Sequence, residues 1–215
     1  MSGPIVIESL DLAALLCSRV CHDLISPVGA IVNGLEVLDE EHDASMREFA
    51  MDLVQKSARQ ASAKLQFARL AFGASGGAGS EIDMVDAGRV AAALMEREKA
   101  ELNWTVSAPL LPKSQAKLLL NLLLVALNSV ARGGRISVEA DRTGEETVLR
   151  ITADGDRAKL PAGVREILTE GALPNPLDAH AIQPLYAAMI AKDAGLAITA
   201  TQEENRVILG ARPTT

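Results

Sequence analysis

The sequence predicts an α+β chain: an antiparallel helical hairpin, followed by an α/β sandwich with helices on one face of a mixed sheet. Three observations predict it. Apolar residues recur at steps of three and four through two long stretches at the start of the chain. The small-residue run Gly73-Ala74-Ser75-Gly76-Gly77-Ala78-Gly79-Ser80 then breaks that pattern. Beyond it, helical stretches alternate with short runs of period two.

The first helix is expected over residues 10–40. Cys17, Val20, Leu24, Val28, Ile31, Leu35 and Leu38 form its apolar seam. Glu40-Glu41-His42-Asp43 reads as a turn, with Asp43 or Ser45 capping a second helix over residues 45–72. Its seam is Met46, Phe49, Leu53, Ala61, Leu65, Ala68 and Phe72. One hairpin has no second layer on which to bury its apolar faces. The simplest solution is a second copy, giving a homodimer built on a four-helix bundle.

These features divide the chain into a hairpin, 1–73, a linker, 74–80, and an α/β domain, 81–215. In the α/β domain a helix is expected over 86–102, with Asp86 as cap, then a strand over 104–107. Residues 114–131, with the run Leu118-Leu119-Leu120-Asn121-Leu122-Leu123-Leu124, read as a strongly apolar helix ended by Gly133-Gly134. Residues 135–140 and 147–152 alternate as a strand hairpin. Helices over 164–170 and 184–194, the second ended by Gly195, precede two last strands, 196–201 and 206–211.

Composition excludes some functions. Net charge is −7 and the isoelectric point about 5.1, which argues against a nucleic-acid-binding face, normally a clustered basic surface. No charge-free apolar run reaches the roughly 18 residues of a membrane span. Met1-Ser2-Gly3-Pro4 lacks the basic start of a signal peptide. The expectation is a cytoplasmic protein without a membrane partner. Two cysteines give no reason to expect a disulfide there. Cys17 and Cys21 with His22 fall short of the four ligands usual for zinc, so both thiols are expected as small buried hydrophobes.

His22 is the most informative residue. It adjoins Asp23, lies five residues before Pro27, and sits nearly opposite the seam at about 100° per residue. A core histidine would lie in the seam. A nucleophilic or phosphate-carrying imidazole needs the reverse: a ring facing solvent, a carboxylate to steer its tautomer, and room for a partner. Arg19 is one turn earlier on the same face. Ser18, Ile25, Ser26 and Gly29 share that face and are small or apolar, as a docking surface would be. Pro27 has no N–H, so the Asp23 carbonyl loses its helical bond.

His22-Asp23-Leu24-Ile25-Ser26-Pro27 resembles the phospho-acceptor box of sensor histidine kinases, with Ile25 where a basic residue is usual. Asn121-Leu122-Leu123-Leu124-Val125-Ala126 is similar to the kinase Asn box, and Asp154-Gly155-Asp156-Arg157-Ala158 to the adenine-reading box. Departures follow. Val125 stands at the position of the Mg²⁺-holding Asn. Both aligned glycines after Asp154 are lost. Ala181-Ile182-Gln183-Pro184 has none of the glycines that bring backbone N–H groups to phosphates. An acceptor hairpin followed by a degenerate histidine-kinase-like ATPase sandwich resembles the ChpT family of histidine phosphotransferases of the alphaproteobacterial cell-cycle phosphorelay.

The resemblance implies a relay. Phosphate passes from the receiver aspartate of a hybrid histidine kinase, CckA-like, to His22. It then passes to response regulators, CtrA-like and CpdR-like. His22 and Asp23 are the implied catalytic residues, with Ser18, Arg19, Ile25, Ser26 and Gly29 docking the receiver or contacting phosphate. No cofactor or metal is expected on this chain, and Mg²⁺ is expected on the partner receiver. The competing readings are a divergent ATP-using kinase and a dimeric interaction module without phosphate chemistry.

Overall fold

The computed structural model describes residues 7–73, 80–144, 146–173 and 181–214. Most of the predicted linker, residues 74–79, lies outside the described residues. Two long helices come first, α1 (Ser9–Glu40) and α2 (Ala44–Phe72). Asp43 caps α2, its carboxylate accepting from the Ser45 and Met46 N–H groups. The Arg47 guanidinium donates to the Leu38 and Glu41 carbonyls, satisfying acceptors that the end of α1 leaves open.

The side of α1 that meets α2 centres on Pro27 and Gly34, both buried. A Cβ on Gly34 would lie 2.6 Å from Val54 Cγ2, so glycine sets how closely the helices approach. The predicted seam is therefore two stripes. Val20, Leu24, Ile31 and Leu38 lean toward α2, while Val28 and Leu35 are each 48% exposed. Cys17 and Cys21 are exposed, not buried as expected, because they lie on the second stripe. One expectation narrows further: α1 contains an 18-residue window of mean hydropathy 1.4, long and apolar enough by composition to cross a membrane. Part of its apolar surface packs on α2 and on the last helix of the chain, while Leu10, Ile25, Val28, Val32 and Leu35 stay exposed.

The α/β part follows in the order β1 (Glu81–Asp83), α3 (Met84–Met95), β2 (Ala100–Val106), β3 (Leu110–Pro112), α4 (Lys113–Ser129), β4 (Gly134–Thr143), β5 (Glu146–Asp154), α5 (Val164–Glu170), α6 (Ile182–Asp193), β6 (Leu196–Glu203) and β7 (Arg206–Pro213). The five-stranded sheet runs β2-β4-β5-β7-β6; β2 and β4 are parallel and the other pairs antiparallel. Ile136, Val138, Leu149, Ile151, Val207 and Leu209 point into the core, and their neighbours alternate outward. Helix α4 is buried almost all round, because it lies between the sheet and α2, α3 and α6.

Two boundaries differ from expectation. Asp83, not Asp86, caps α3, accepting from Val85 N at 2.7 Å and Asp86 N at 3.1 Å. That helix stops at Met95, and residues 100–102 join β2, where Ala100 pairs with Gly134. Gly134 is required there: its φ is +149°, and a Cβ would meet the Asp154 carbonyl oxygen. Strands β1 and β3 were not expected. At three residues each they are too short to show a period, and only their mutual pairing, Ile82 with Leu111, defines them.

Candidate phosphotransfer site

The His22 side chain is 67% exposed on α1. Its Nδ1 lies 3.6 Å from Asp23 Oδ1, inside ion-pair range and outside hydrogen-bond range. The closer partner of Asp23 is Arg19, whose Nε donates to Oδ2 at 2.9 Å across one helical turn. Arg19 is only 14% exposed and Asp23 31%. Among the predicted docking residues, Ile25 is 70% exposed, and Ser18 and Ser26 are also exposed. Gly29 has open space where a Cβ would stand.

Pro27 has the consequence its chemistry dictates. The Asp23 carbonyl lacks the N–H of residue 27, and the Lys64 ammonium on α2 donates to it at 3.0 Å. Sequence reasoning passed over Lys64, although a signal was present. It lies one turn after the buried Ala61 on the side of α2 that faces α1, where an ammonium needs an acceptor.

Arg19, Asp23 and Lys64 open onto a cleft of about 370 Å³ between the hairpin and the α/β domain. Its far wall carries Arg97, Glu98, Lys99 and Asn128, and its floor is apolar, with Phe67, Leu94 and Leu124. Four cations against two carboxylates make this cleft locally basic on an acidic protein. Arg97 and Lys99 were also missed, since they occupy the turn after α3 that the sequence placed inside a helix.

The positions that resemble nucleotide-binding boxes are otherwise engaged. Val125 is 3% exposed within the core and offers no oxygen. Asp154 accepts from Arg206 Nε at 2.5 Å. Asn121 is fully buried and bonded to other protein groups. The start of α6 is covered, with Ile182 and Leu185 packed on Leu12, Leu15 and Leu16 of α1. These residues do not fit a nucleotide. Among the described residues, no group of three or more His, Cys, Asp or Glu side chains is placed to hold a metal ion.

The family model described as "Histidine phosphotransferase C-terminal domain" matches residues 84–206. The chain is similar to the protein phosphotransferase ChpT of Brucella abortus (strain 2308), 46% identical over 206 residues, covering 95% of this chain and 97% of that one. It is similar to a solved bacterial phosphotransferase at TM-score 0.88 and 42% identity, covering 97% of this chain and 98% of that one. The helical hairpin, the α/β sandwich and these likenesses converge: the chain belongs to the ChpT-type histidine phosphotransferases.

Proposed function

We propose that His22 is the phosphoryl carrier of a cytoplasmic, cell-cycle-type phosphorelay, loaded and unloaded by receiver domains. The observation that carries this reading is the exposed imidazole beside a basic cleft on a chain of this family. A neutral ring nitrogen attacks the phosphorus of a receiver aspartyl phosphate. The P–O bond to the aspartate breaks, a P–N bond forms, and the carboxylate leaves. Attack by another receiver's aspartate reverses the step. Asp23 stabilises positive charge on the phosphorylated ring, and Arg19 holds Asp23 in place.

Ser18, Ile25, Ser26 and Gly29 form the contact surface for the receiver, and Arg97 and Lys99 attract the acidic groups around its aspartate. The cleft makes the α/β domain a second docking wall. We assign Mg²⁺ to the receiver, as the partner rather than this chain supplies it. Hybrid-kinase receivers of CckA type load His22, and response regulators of CtrA and CpdR type unload it. Engagement of the nucleotide-box positions within the protein supports a carrier that uses no ATP.

The same reading includes a homodimer. Val28, Val32 and Leu35 of α1 are each 48% exposed, and Met46, Phe49 and Leu65 of α2 are exposed too. A second hairpin covering these residues completes a four-helix bundle and leaves the opposite face of α1, with His22, open.

The test is incubation with a phosphorylated receiver, with and without ATP. The expected product is an acid-labile, base-stable label that needs no ATP and is lost in His22→Ala while the dimer stays folded. Labelling by ATP alone, or a labelled His22→Ala protein, overturns the reading.

A further inference from the structure

We propose that Asn121 and Gln183 are positioning residues for phosphotransfer: they latch the α/β domain to the end of the acceptor hairpin and hold the cleft beside His22 at fixed geometry. This rests on the carrier reading of His22. Asn121 is fully buried in the middle of an otherwise apolar helix. A buried amide costs stability unless its donors and acceptor are used, and those of Asn121 are all used, whereas the Oε1 of Gln183 is buried without a hydrogen bond. The Asn121 Nδ2 donates to the Ala71 carbonyl at 3.0 Å and to the Lys117 carbonyl at 2.8 Å. Its Oδ1 accepts from Gln183 Nε2 at 2.5 Å.

Ala71 lies in the last turn of α2, where carbonyls have no helical partner. One of those carbonyls is capped by a side chain of the other domain. Gln183, 1% exposed, sits in the first turn of α6. Two amides thus join α2, α4 and α6. The joint is reinforced around its edge. The rings of Phe72 and Tyr186 lie 5.9 Å apart at 55°. Leu12, Leu15 and Leu16 of α1 cover Ile182 and Leu185. Arg19 and Lys64 belong to the hairpin, and Arg97, Lys99 and Asn128 to the domain. Whatever fixes the angle between the two parts therefore fixes the distance across the cleft that a receiver must fill.

The test compares two phosphoryl donors on the whole protein. Phosphoramidate is small and needs no docking: its P–N bond to ammonia breaks, a P–N bond to His22 forms, and ammonia leaves with a proton. A phosphorylated receiver needs the cleft. In Asn121→Leu/Gln183→Leu, transfer from the receiver is expected to fall about tenfold or more, since misplacement by about an ångström costs rate on this scale. Labelling by phosphoramidate is expected to stay at the wild-type rate. If that variant does not fold, Tyr186→Leu weakens the same joint from its half-buried edge and shows the same split to a smaller degree. Equal loss with both donors, or unchanged transfer from the receiver, overturns the latch. A wild-type protein that neither donor labels at His22 overturns the carrier reading instead.

Discussion

Pro27 and Lys64 make a sharply testable pair. Proline at position 27 frees the Asp23 carbonyl, and the Lys64 ammonium takes it at 3.0 Å. A hydrogen bond involving a charged group contributes about 1.5–3 kcal/mol net when its loss strands the partner. Both Lys64 and Asp23 are half-buried, so water replaces part of the lost bond, and Lys64→Met is expected to destabilise by about 1–2 kcal/mol. In a Pro27→Ala background the restored N–H of residue 27 satisfies the same carbonyl. There the second substitution should cost less, with a coupling near 1 kcal/mol. The assay is urea unfolding of the four proteins at one protomer concentration, which holds any association equilibrium constant. Equal costs of Lys64→Met in the two backgrounds would refute the reasoning.

Gly34→Ala drives a Cβ to 2.6 Å from Val54, a stiff β-branched neighbour, and should cost about 1–3 kcal/mol in thermal or urea unfolding. Gly29→Ala meets nothing within 4 Å, so it should raise stability by up to about 1 kcal/mol while slowing transfer from a receiver that approaches there. Phe67→Ala removes a ring buried in the core beyond the hairpin and should cost about 3–5 kcal/mol. Trp104, the single tryptophan, packs on α3 and reports on the α/β domain. Its fluorescence transition should shift together with the helical signal in Phe67→Ala, and an unmoved transition would mean the two parts unfold separately.

Much of the fold was legible because burial imposed a period. Helices α1, α2 and α4 and the strands β4 to β7 each bury one face, or all faces, over many residues, and their patterns survive in the sequence. The errors fall where no period exists. Asp83 and Asp86 are equally good caps on paper. The choice is made by β1, whose pairing with β3 ends the strand at Asp83. The turn with Arg97 and Lys99 has a composition that would equally continue a helix, and no period marks its end. The thiols were misplaced for a different reason: one apolar stripe was assumed where α1 has two, and only packing against α2 separates them. At the site, His22, Asp23 and Arg19 were legible because they share a helix face. Lys64 belongs to the facing helix, and its meaning depends on hairpin register.

The hairpin and the α/β domain are not independent parts joined by a linker. Phe67 and Ala71, near the end of α2, are 2% and 0% exposed, and they belong to the same core as α4 and the sheet. At the other end of the hairpin's chain, Leu12, Leu15 and Leu16 pack on α5 and α6. With Asp23 facing Lys64 and Gly34 facing Val54, both anchored segments lie at the open end of the hairpin, and Arg19, His22 and Asp23 follow directly along α1. Removing the α/β domain would expose both sets of apolar residues, at about 25 cal/mol per Å² of apolar surface. The α/β domain therefore has a physical role in the hairpin. It supplies burial that holds α1 and α2 together beside His22, and it forms the basic wall opposite. On the carrier reading, the α2–α4–α6 joint is the part of the domain on which the setting of His22 depends.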